Sequence, residues 1–284
     1  MSDLEVTIAS LHVYPVKSCA GVTPDEWLLV ETGLEFDRSW MVVDMHGRFV
    51  TQRELPRMAL IQPTLRAYDM VLRAPGMLAL HLALGAVEQP TRVTIWKDAL
   101  AAFDMGDLAA QWFSDFLGHP VRLVRFDPAQ QRLSNLKWTA GIEAENAFSD
   151  GYPLLVTSTA SLAELNRRLA AAGESAITMA RLRPNLVLDG LEANGEDHLD
   201  EIVFDTADGP VRLKIAKPCS RCAIPDVDPA TGETGHAVSD ALAAYRADAR
   251  LAGAITFGMN AVIVEGIERS LRVGMSGSAT YRFD

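Results

Sequence analysis

The chain is poor in cysteine and in basic residues, and it has no long apolar run. Its 284 residues include 3 cysteines, with 26 lysines and arginines against 37 aspartates and glutamates. Three cysteines cannot form a disulfide framework, so we expect free thiols in a reducing cytoplasm. No stretch reaches 18 apolar residues, and the N-terminus lacks the basic segment and apolar core of a signal peptide. We therefore expect neither a membrane anchor nor secretion.

The charge and the missing motifs exclude further classes of protein. A net charge of −11 argues against binding nucleic acid through general phosphate attraction, although a local basic pocket for a small anion is compatible with it. The sequence contains no G-x-G-x-x-G, Walker A, H-E-x-x-H or G-x-S-x-G motif. Dinucleotide-binding, ATPase, metalloprotease and α/β-hydrolase functions therefore lack their usual support.

The first part of the chain has the pattern of a β-meander closed by a helix. Residues 5–17 alternate in polarity, residues 26–54 contain two or three further strands, and shorter strands are expected between 59 and 96. The segment 107–118 then has apolar residues at helical spacing and ends in glycine, as helices often do. Its apolar positions are Leu108, Trp112, Phe113, Phe116 and Leu117. We place a domain boundary near residue 119.

The second part predicts mixed strands and helices. Residues 153–173 read as a strand, a Ser/Thr cap and a helix ended by Gly173, and residues 240–250 read as a short helix. Further strands are expected in 121–128, 183–190, 201–218, 260–266 and 270–274. Because the strands alternate in polarity and no regular βαβ spacing occurs, a barrel-like domain is favoured over a doubly wound sheet. The expected fold class is a β-rich mixture of α and β.

Two cysteines three positions apart lie in the segment KPCSRCAIPDVDPATGETG, residues 217–235. As a zinc site, Cys219 and Cys222 need two more ligands, and His236 has no second histidine three to five residues later. As a thioredoxin-like pair they should open a helix, which the Pro- and Gly-rich sequence after them does not support. A pair of buried thiols in a β-turn is the third interpretation. The residues alone leave all three open.

Basic and hydrogen-bonding residues recur near the ends of predicted strands. Lys17 and Ser18 follow the first strand, Arg38 falls inside another, and Arg183 with Asn185 begins a later one. The cysteine segment adds Lys217, Ser220 and Arg221. If these ends converge, they form a small positive pocket suited to a phosphorylated, planar ligand, and a thiolate at its edge would suit a soft metal.

These segments resemble MOSC-domain proteins that carry an N-terminal MOSC β-barrel domain, a group that includes the mitochondrial amidoxime-reducing component and its bacterial relatives. The resemblance follows the chain in order through VYPVKSCAGV, DRSW, VTQRELPRMALI, AFDMGDLAAQWFSDFL, FSDGYPLLVTSTASLAELNRRL, RLRPNLVL, CSRCAIPDVDPATGE and FGMNAVIVEG. It implies an N-terminal MOSC-associated β-barrel domain over residues 1–118. A MOSC β-barrel domain with a few flanking helices would follow over 119–284.

The resemblance also implies a ligand and residue roles. The ligand is the molybdenum cofactor, and the position of Cys222 matches the cysteine that coordinates molybdenum, whereas Cys219 does not ligate the metal. Asp150 matches an acidic position beside the metal and is expected to handle protons as a catalytic group. Positions that bind the pterin or its phosphate match Lys17, Ser18, Arg38, Arg183, Asn185 and Ser220.

The implied activity is reduction of N-hydroxylated compounds, namely amidoximes, hydroxylamines and N-hydroxy nucleobases, to the amines. Because the chain ends at Asp284 without a four-cysteine cluster, a separate donor is expected, either a ferredoxin or a cytochrome b5-like protein with its reductase. A soluble, cytoplasmic, bacterial protein without nucleic-acid or membrane partners is expected. Two alternatives are a non-enzymatic molybdenum-cofactor carrier or sulfur-transfer module, and a thiol or zinc protein that shares the fold.

Overall fold

The computed structural model describes residues 3–282, a range built mainly of β-strands with three α-helices. The helices are α1 (Gly106–Leu117), α2 (Thr159–Ala171) and α3 (Ala237–Ala243). The strands are β1 (Leu4–Leu11), β2 (Glu26–Val30), β3 (Gly33–Leu34), β4 (Trp40–Asp44), β5 (Gln62–Leu65), β6 (Asp69–Arg73), β7 (Leu80–Ala83), β8 (Gln89–Ile95), β9 (Asp98–Asp104), β10 (Val121–Phe126), β11 (Leu154–Ser158), β12 (Leu186–Asp189), β13 (Leu199–Thr206), β14 (Gly209–Ser220), β15 (Ala247–Asp248), β16 (Ala254–Glu265), β17 (Ser270–Arg272) and β18 (Ser276–Tyr281). The predicted β-rich mixed class is confirmed.

Seven strands close into a barrel. They run in the order β11, β12, β1, β18, β13, β14 and β16, and β16 pairs back with β11. β15 extends one end of β16. Alternate residues point inward and fill the interior with fully buried apolar side chains, such as Ile8, Leu188, Ile202 and Leu213. This packing fixes the strand ends from which the site is built.

A second core lies beside the barrel. It consists of two apolar clusters, one on each face of the four-stranded sheet β4-β10-β9-β8, and the three-stranded sheet β5-β6-β7 and helix α1 pack on one of these faces. Trp112, Phe113 and Phe116 bury the apolar face of α1 as predicted, and Gly118 ends the helix in a left-handed conformation. Leu108 is an exception, because 75% of it is exposed on the outer side of the helix.

The sheets cross the predicted boundary in both directions. β1, from the start of the chain, lies in the barrel between β12 and β18, and β10 completes the sheet that contains β4. The division into 1–118 and 119–284 therefore stays a prediction. Within residues 3–282 no helix is both long and apolar enough to cross a membrane.

The structure differs from the sequence-based expectation in three elements: one helix has different bounds, and two strands are present that were not predicted. The helix expected at 240–250 is α3, which begins and ends earlier than predicted. It begins earlier because two of its first backbone N–H groups donate to the carboxylate of Asp226. The end of the predicted helix, Ala247–Asp248, pairs with β16 as a strand instead. β9 and β18 were not predicted. The sequence of β18, SGSATY, has a weak strand pattern, but the glycine at 277 is what allows it to pack: a Cβ there would lie 2.5 Å from the ring of Phe204.

Candidate functional site

A cavity of about 1240 Å³ lies between one end of the barrel and the second core. The barrel side is formed by one end of β11 and of β14, by Asn260 in the middle of β16 and by the residues before β12. The other side is formed by the segment after β4 and the β8–β9 turn. Its lining includes all eight residues to which the resemblance assigns a role, namely Lys17, Ser18, Arg38, Asp150, Arg183, Asn185, Ser220 and Cys222, and also Lys217, Cys219 and Arg221. The convergence expected for these residues is therefore present.

Basic side chains outnumber acidic ones in the lining. The cationic residues are Lys17, Arg38, Arg53, Lys97, Arg132, Arg183, Lys217 and Arg221, whereas the acidic ones are Glu54, Asp98 and Asp150. This excess of five positive charges occurs in a protein whose net charge is −11. A concave basic surface in an acidic protein concentrates anions of small size.

Four of the lining residues have a left-handed backbone without being glycine: Trp96, with a φ angle of 54°, and three residues on which the sequence analysis focused. The φ angles are 68° at Ser18, 49° at Arg38 and 56° at Arg183. This conformation costs on the order of 1–3 kcal/mol for such residues and persists where the surrounding structure enforces it, which is common at functional sites. The prediction that Arg38 lies inside a strand was wrong: it lies in the turn before β4, because the chain must reverse sharply there.

Arg38 and Arg183 flank one tyrosine ring. Their guanidinium carbons lie 4.4 and 4.2 Å from the ring centroid of Tyr14. Arg38 forms an ion pair with the buried Asp37, and its Nη2 donates to the carbonyl of Arg183 at 3.0 Å. Arg183 Nη1 donates to the carbonyl of Cys19 at 2.6 Å, while its buried Nη2 has no partner among residues 3–282. Burial and the neighbouring charge of Arg38 lower the pKa of Arg183 to about 10.

Lys17 and Asp150 form an ion pair inside the cavity. Lys17 Nζ donates to Asp150 Oδ1 at 2.6 Å and to the carbonyl of Phe148 at 2.9 Å, and Trp96 Nε1 donates to the same Oδ1 at 3.2 Å. Burial lowers the pKa of Lys17, although the carboxylate of Asp150 partly opposes that effect. Burial alone would raise the pKa of Asp150, but the ammonium of Lys17 and the two hydrogen bonds hold it well below its usual range. Asp150 is therefore ionised at neutral pH.

Asn185 and the two serines occupy different environments. The amide of Asn185 accepts from the backbone N–H of Leu155 at 3.0 Å and donates to the carbonyl of His12 at 3.2 Å, so it joins β11 to the residues after β1. One of its N–H groups remains for a ligand. Ser18 is buried in its turn, whereas Ser220 is exposed at the end of β14.

The two cysteines of the C-x-x-C pair are both accessible and both free. Cys222 is exposed, and Cys219 is partly buried with its Sγ 3.3 Å from Arg221 Nη1. The interpretation as buried thiols is therefore wrong. A short 3₁₀ turn at Ile224–Asp226, and not an α-helix, follows the pair. Within the described range, 3–282, no three His, Cys, Asp or Glu side chains are grouped as protein-only metal ligands.

Arg221 and the following loop hold the cysteine segment in place. Arg221 Nη2 donates to the carbonyl of Leu182 at 2.9 Å, and its buried Nε has no partner in residues 3–282. Asp228 accepts from the backbone N–H of Ala230 at 2.8 Å, so its side chain shapes the turn. Its other oxygen forms an ion pair with Arg181 at 2.8 Å.

Several lining residues were not singled out from the sequence. Phe49, Arg53, Trp96 and Lys97 form the side of the cavity opposite the barrel. The available signal was weak, because β9 was not predicted and the two-residue turn that carries Trp96 and Lys97 was therefore not recognised. Long-range packing, and not a local motif, brings this turn to the cavity.

Two protein families match this chain, each over a different range of residues. The MOSC N-terminal beta barrel domain matches residues 5–120, and the MOSC domain matches residues 143–276. Human mitochondrial amidoxime-reducing component 1 is 36% identical over 238 residues, which cover 80% of this chain and 67% of that protein. Human mitochondrial amidoxime reducing component 2 is 34% identical, with 80% and 68% coverage. Human molybdenum cofactor sulfurase is 30% identical over 256 residues, and the match spans 84% of this chain but 28% of that longer protein.

Proposed function

Because this chain belongs to the family of MOSC-domain proteins, we propose that it binds the molybdenum cofactor in the 1240 Å³ cavity and reduces N-hydroxylated compounds to amines. The observation that carries the proposal is the meeting, in one cavity, of an exposed thiol, Cys222, with cationic donors that have no partner among residues 3–282. The similarity to proteins named as amidoxime-reducing components supports the reaction class.

The donors of the barrel side fit an anionic, phosphorylated ligand. The guanidinium nitrogens Arg183 Nη2 and Arg221 Nε are buried and have no partner in residues 3–282. A buried, charged donor without a partner is unfavourable, so such groups usually meet a ligand or water. Arg183 and Arg221 would hold the cofactor's phosphate, with the remaining N–H of Asn185 and the nearby Ser18 hydroxyl beside them.

The cysteine segment fits a soft metal with one protein ligand. Cys222 is exposed in the cavity wall, and thiolates favour soft metal centres. Cys219 Sγ is engaged by the guanidinium of Arg221, so we assign the metal contact to Cys222 alone. A single protein ligand is consistent with the lack of a protein-only metal cluster in residues 3–282, because the other ligands would belong to the cofactor.

When bound, the cofactor would supply the two electrons that break the N–O bond. The hydroxyl oxygen leaves as water, so two protons must reach the substrate. Asp150 is ionised when the reaction begins, because Lys17 holds its pKa low. Its carboxylate must therefore accept a proton before it can donate one. Its Oδ2 has no hydrogen-bond partner within residues 3–282 and would accept from the substrate N–H or O–H group. We propose that Asp150 orients the substrate and relays a proton that it receives.

Lys17 has a second role in this scheme. Its ammonium has three hydrogens, and Phe148 and Asp150 take two of them, which leaves one for the cofactor. The hydrogen bond from Lys17 to Asp150 also keeps the carboxylate of Asp150 negatively charged beside the reacting group.

We also propose a separate electron donor, either a ferredoxin or a cytochrome b5-like protein with its reductase, and a cytoplasmic location. The 3 cysteines of these 284 residues are fewer than the four that a typical iron–sulfur cluster needs. A cofactor carrier or sulfur-transfer module is the second candidate, and the similarity to a molybdenum cofactor sulfurase is what favours it.

Turnover separates the two candidates. Protein made in a host that supplies the cofactor is assayed for reduction of benzamidoxime to benzamidine, with reduced methyl viologen as electron donor. We expect turnover that Cys222→Ser abolishes and that Asp150→Asn lowers about 10²-fold without loss of molybdenum. A molybdenum-loaded protein that does not reduce any N-hydroxylated compound would favour the carrier.

A further inference from the structure

The β8–β9 turn places a strained tryptophan in the cavity wall. Ile95 pairs with Asp98, so Trp96 and Lys97 alone form the turn. Trp96 has φ of 54°, a region that two-residue hairpin turns normally assign to Gly, Asn or Asp. A bulky aromatic residue is unfavourable there, and the turn does not need one. The presence of a tryptophan at this position must therefore be explained by contacts outside the turn.

Three contacts fix the indole ring. Its Nε1 donates to Asp150 Oδ1 at 3.2 Å, and its ring lies 5.0 Å from that of Phe49 at an interplanar angle of 57°. The guanidinium carbon of Arg53 lies 5.0 Å from its centroid. Nevertheless, 48% of Trp96 is exposed, and it lines the same cavity as Cys222. The result is a rigid aromatic surface that faces the space where a substrate must sit.

Two cations beside this surface have no acidic partner. Arg53 Nε donates to Thr51 Oγ1 at 3.0 Å, but no ion pair of Arg53 or Lys97 is formed with any residue in the range 3–282. Lys17, Arg38 and Arg132 of the same lining are each held in an ion pair, whereas Arg183, Lys217 and Arg221 on the barrel side form none with the residues in 3–282. The excess of five positive charges in the lining is also more than one phosphate monoester, with about 1.5 to 2 negative charges, can neutralise.

Resting on the proposed function, we propose that Phe49, Arg53, Trp96 and Lys97 form a recognition wall for a substrate with a planar aromatic ring and an anionic group, either a carboxylate or a phosphate. The ring stacks on the open part of Trp96. The fork of Arg53 and the ammonium of Lys97 bind the anion. The cations of the barrel side, Arg183 among them, remain for the cofactor.

Binding without turnover tests this wall. The molybdenum-loaded protein is titrated calorimetrically with benzamidoxime and with 4-carboxybenzamidoxime, in the absence of an electron donor. We expect the carboxylated compound to bind about five- to tenfold more tightly at low salt, with a smaller preference at high salt. The double variant Arg53→Gln/Lys97→Gln should abolish the preference. Arg92→Gln, which removes an exposed charge of β8 outside the cavity lining, should leave it unchanged.

Trp96→Asn separates stacking from charge. Asn adopts positive φ readily, so the turn is retained while the ring is lost. Both compounds should then bind about tenfold more weakly, with the preference for the carboxylate preserved. An N-hydroxylated nucleoside and its monophosphate, compared in the same titrations, show whether phosphate is preferred to carboxylate.

Equal affinity for neutral and anionic compounds in the wild-type protein would overturn the inference, as would a preference that survives the double variant. Molybdenum content and benzamidoxime reduction, measured on the same samples, keep the two proposals apart. If both are present and the affinities are equal, the recognition wall alone is refuted. If both are absent, the proposed function is refuted as well.

Discussion

Replacing Lys17 with Met removes the ammonium group that donates to both Phe148 and Asp150. The side chain is buried, with 9% of it exposed, and Met has a similar length without the charge. The carbonyl of the fully buried Phe148 then loses its donor at 2.9 Å. The carboxylate of Asp150 loses the cation that lowers its pKa. Both effects destabilise the folded chain before any ligand is considered.

The size of the effect follows from burial. A buried carbonyl left without a donor costs about 1–3 kcal/mol. The ion pair adds at most about 1 kcal/mol, because 66% of the Asp150 side chain is exposed and water screens it. Part of this loss is offset, since burial of the ammonium is itself unfavourable, as its lowered pKa indicates. We expect Lys17→Met to lower the free energy of unfolding by about 1–3 kcal/mol at pH 7.

The pH dependence gives the sign of the charge contribution. Because the pKa of Asp150 is lower in the folded state than its ordinary value of 3.8, its ionised form stabilises the fold above that pH, and the stabilisation is lost as the pH falls toward the folded pKa. The difference between wild type and variant should therefore shrink from pH 7 to pH 3.

Urea unfolding of the cofactor-free proteins, followed by circular dichroism at pH 7, 4 and 3, measures this difference. Lys137→Met makes the same change at an exposed position and should stay within about 0.5 kcal/mol of wild type. The reasoning is refuted if Lys17→Met equals that control at pH 7. A difference that does not decrease on acidification would refute the assignment to Asp150.

Two further predictions concern buried carboxylates outside the cavity lining. Asp226→Ala removes an acceptor for the N–H groups of Val238 and Ser239, so it should cost about 1–2 kcal/mol in urea unfolding without lowering molybdenum content. Burial raises the pKa of Glu196 in the folded chain above its usual value of 4.5. The protonated group therefore contributes its full stability below pH 4.5, and this contribution is lost as the pH rises through the pKa of the folded state. Glu196→Gln should therefore melt near the wild-type temperature at pH 4 and above it at pH 7; a melting temperature below wild type at pH 7 would contradict this.

Elements that depend on local interactions could be predicted from the sequence, whereas elements that depend on contacts between distant segments could not. Helix α1 was predictable because its apolar face and Gly118 are local signals. β18 was not, because it exists through pairing with β1 and β13 on either side. Of the site, the polar residues at strand ends could be found in the sequence. The left-handed turn at Arg38 and the ring of Trp96 could not, since both depend on packing between distant segments.

The central claim is that Cys222, and not Cys219, holds the molybdenum cofactor in this cavity. The most direct test is elemental analysis for molybdenum and zinc, with assay of the released pterin, on protein made in a host that supplies the cofactor. We expect near-stoichiometric molybdenum and pterin in the wild type, loss of molybdenum in Cys222→Ser, and retention of most of it in Cys219→Ser. Zinc without molybdenum in the wild type would contradict the claim, and equal behaviour of the two variants would contradict the assignment of the ligand.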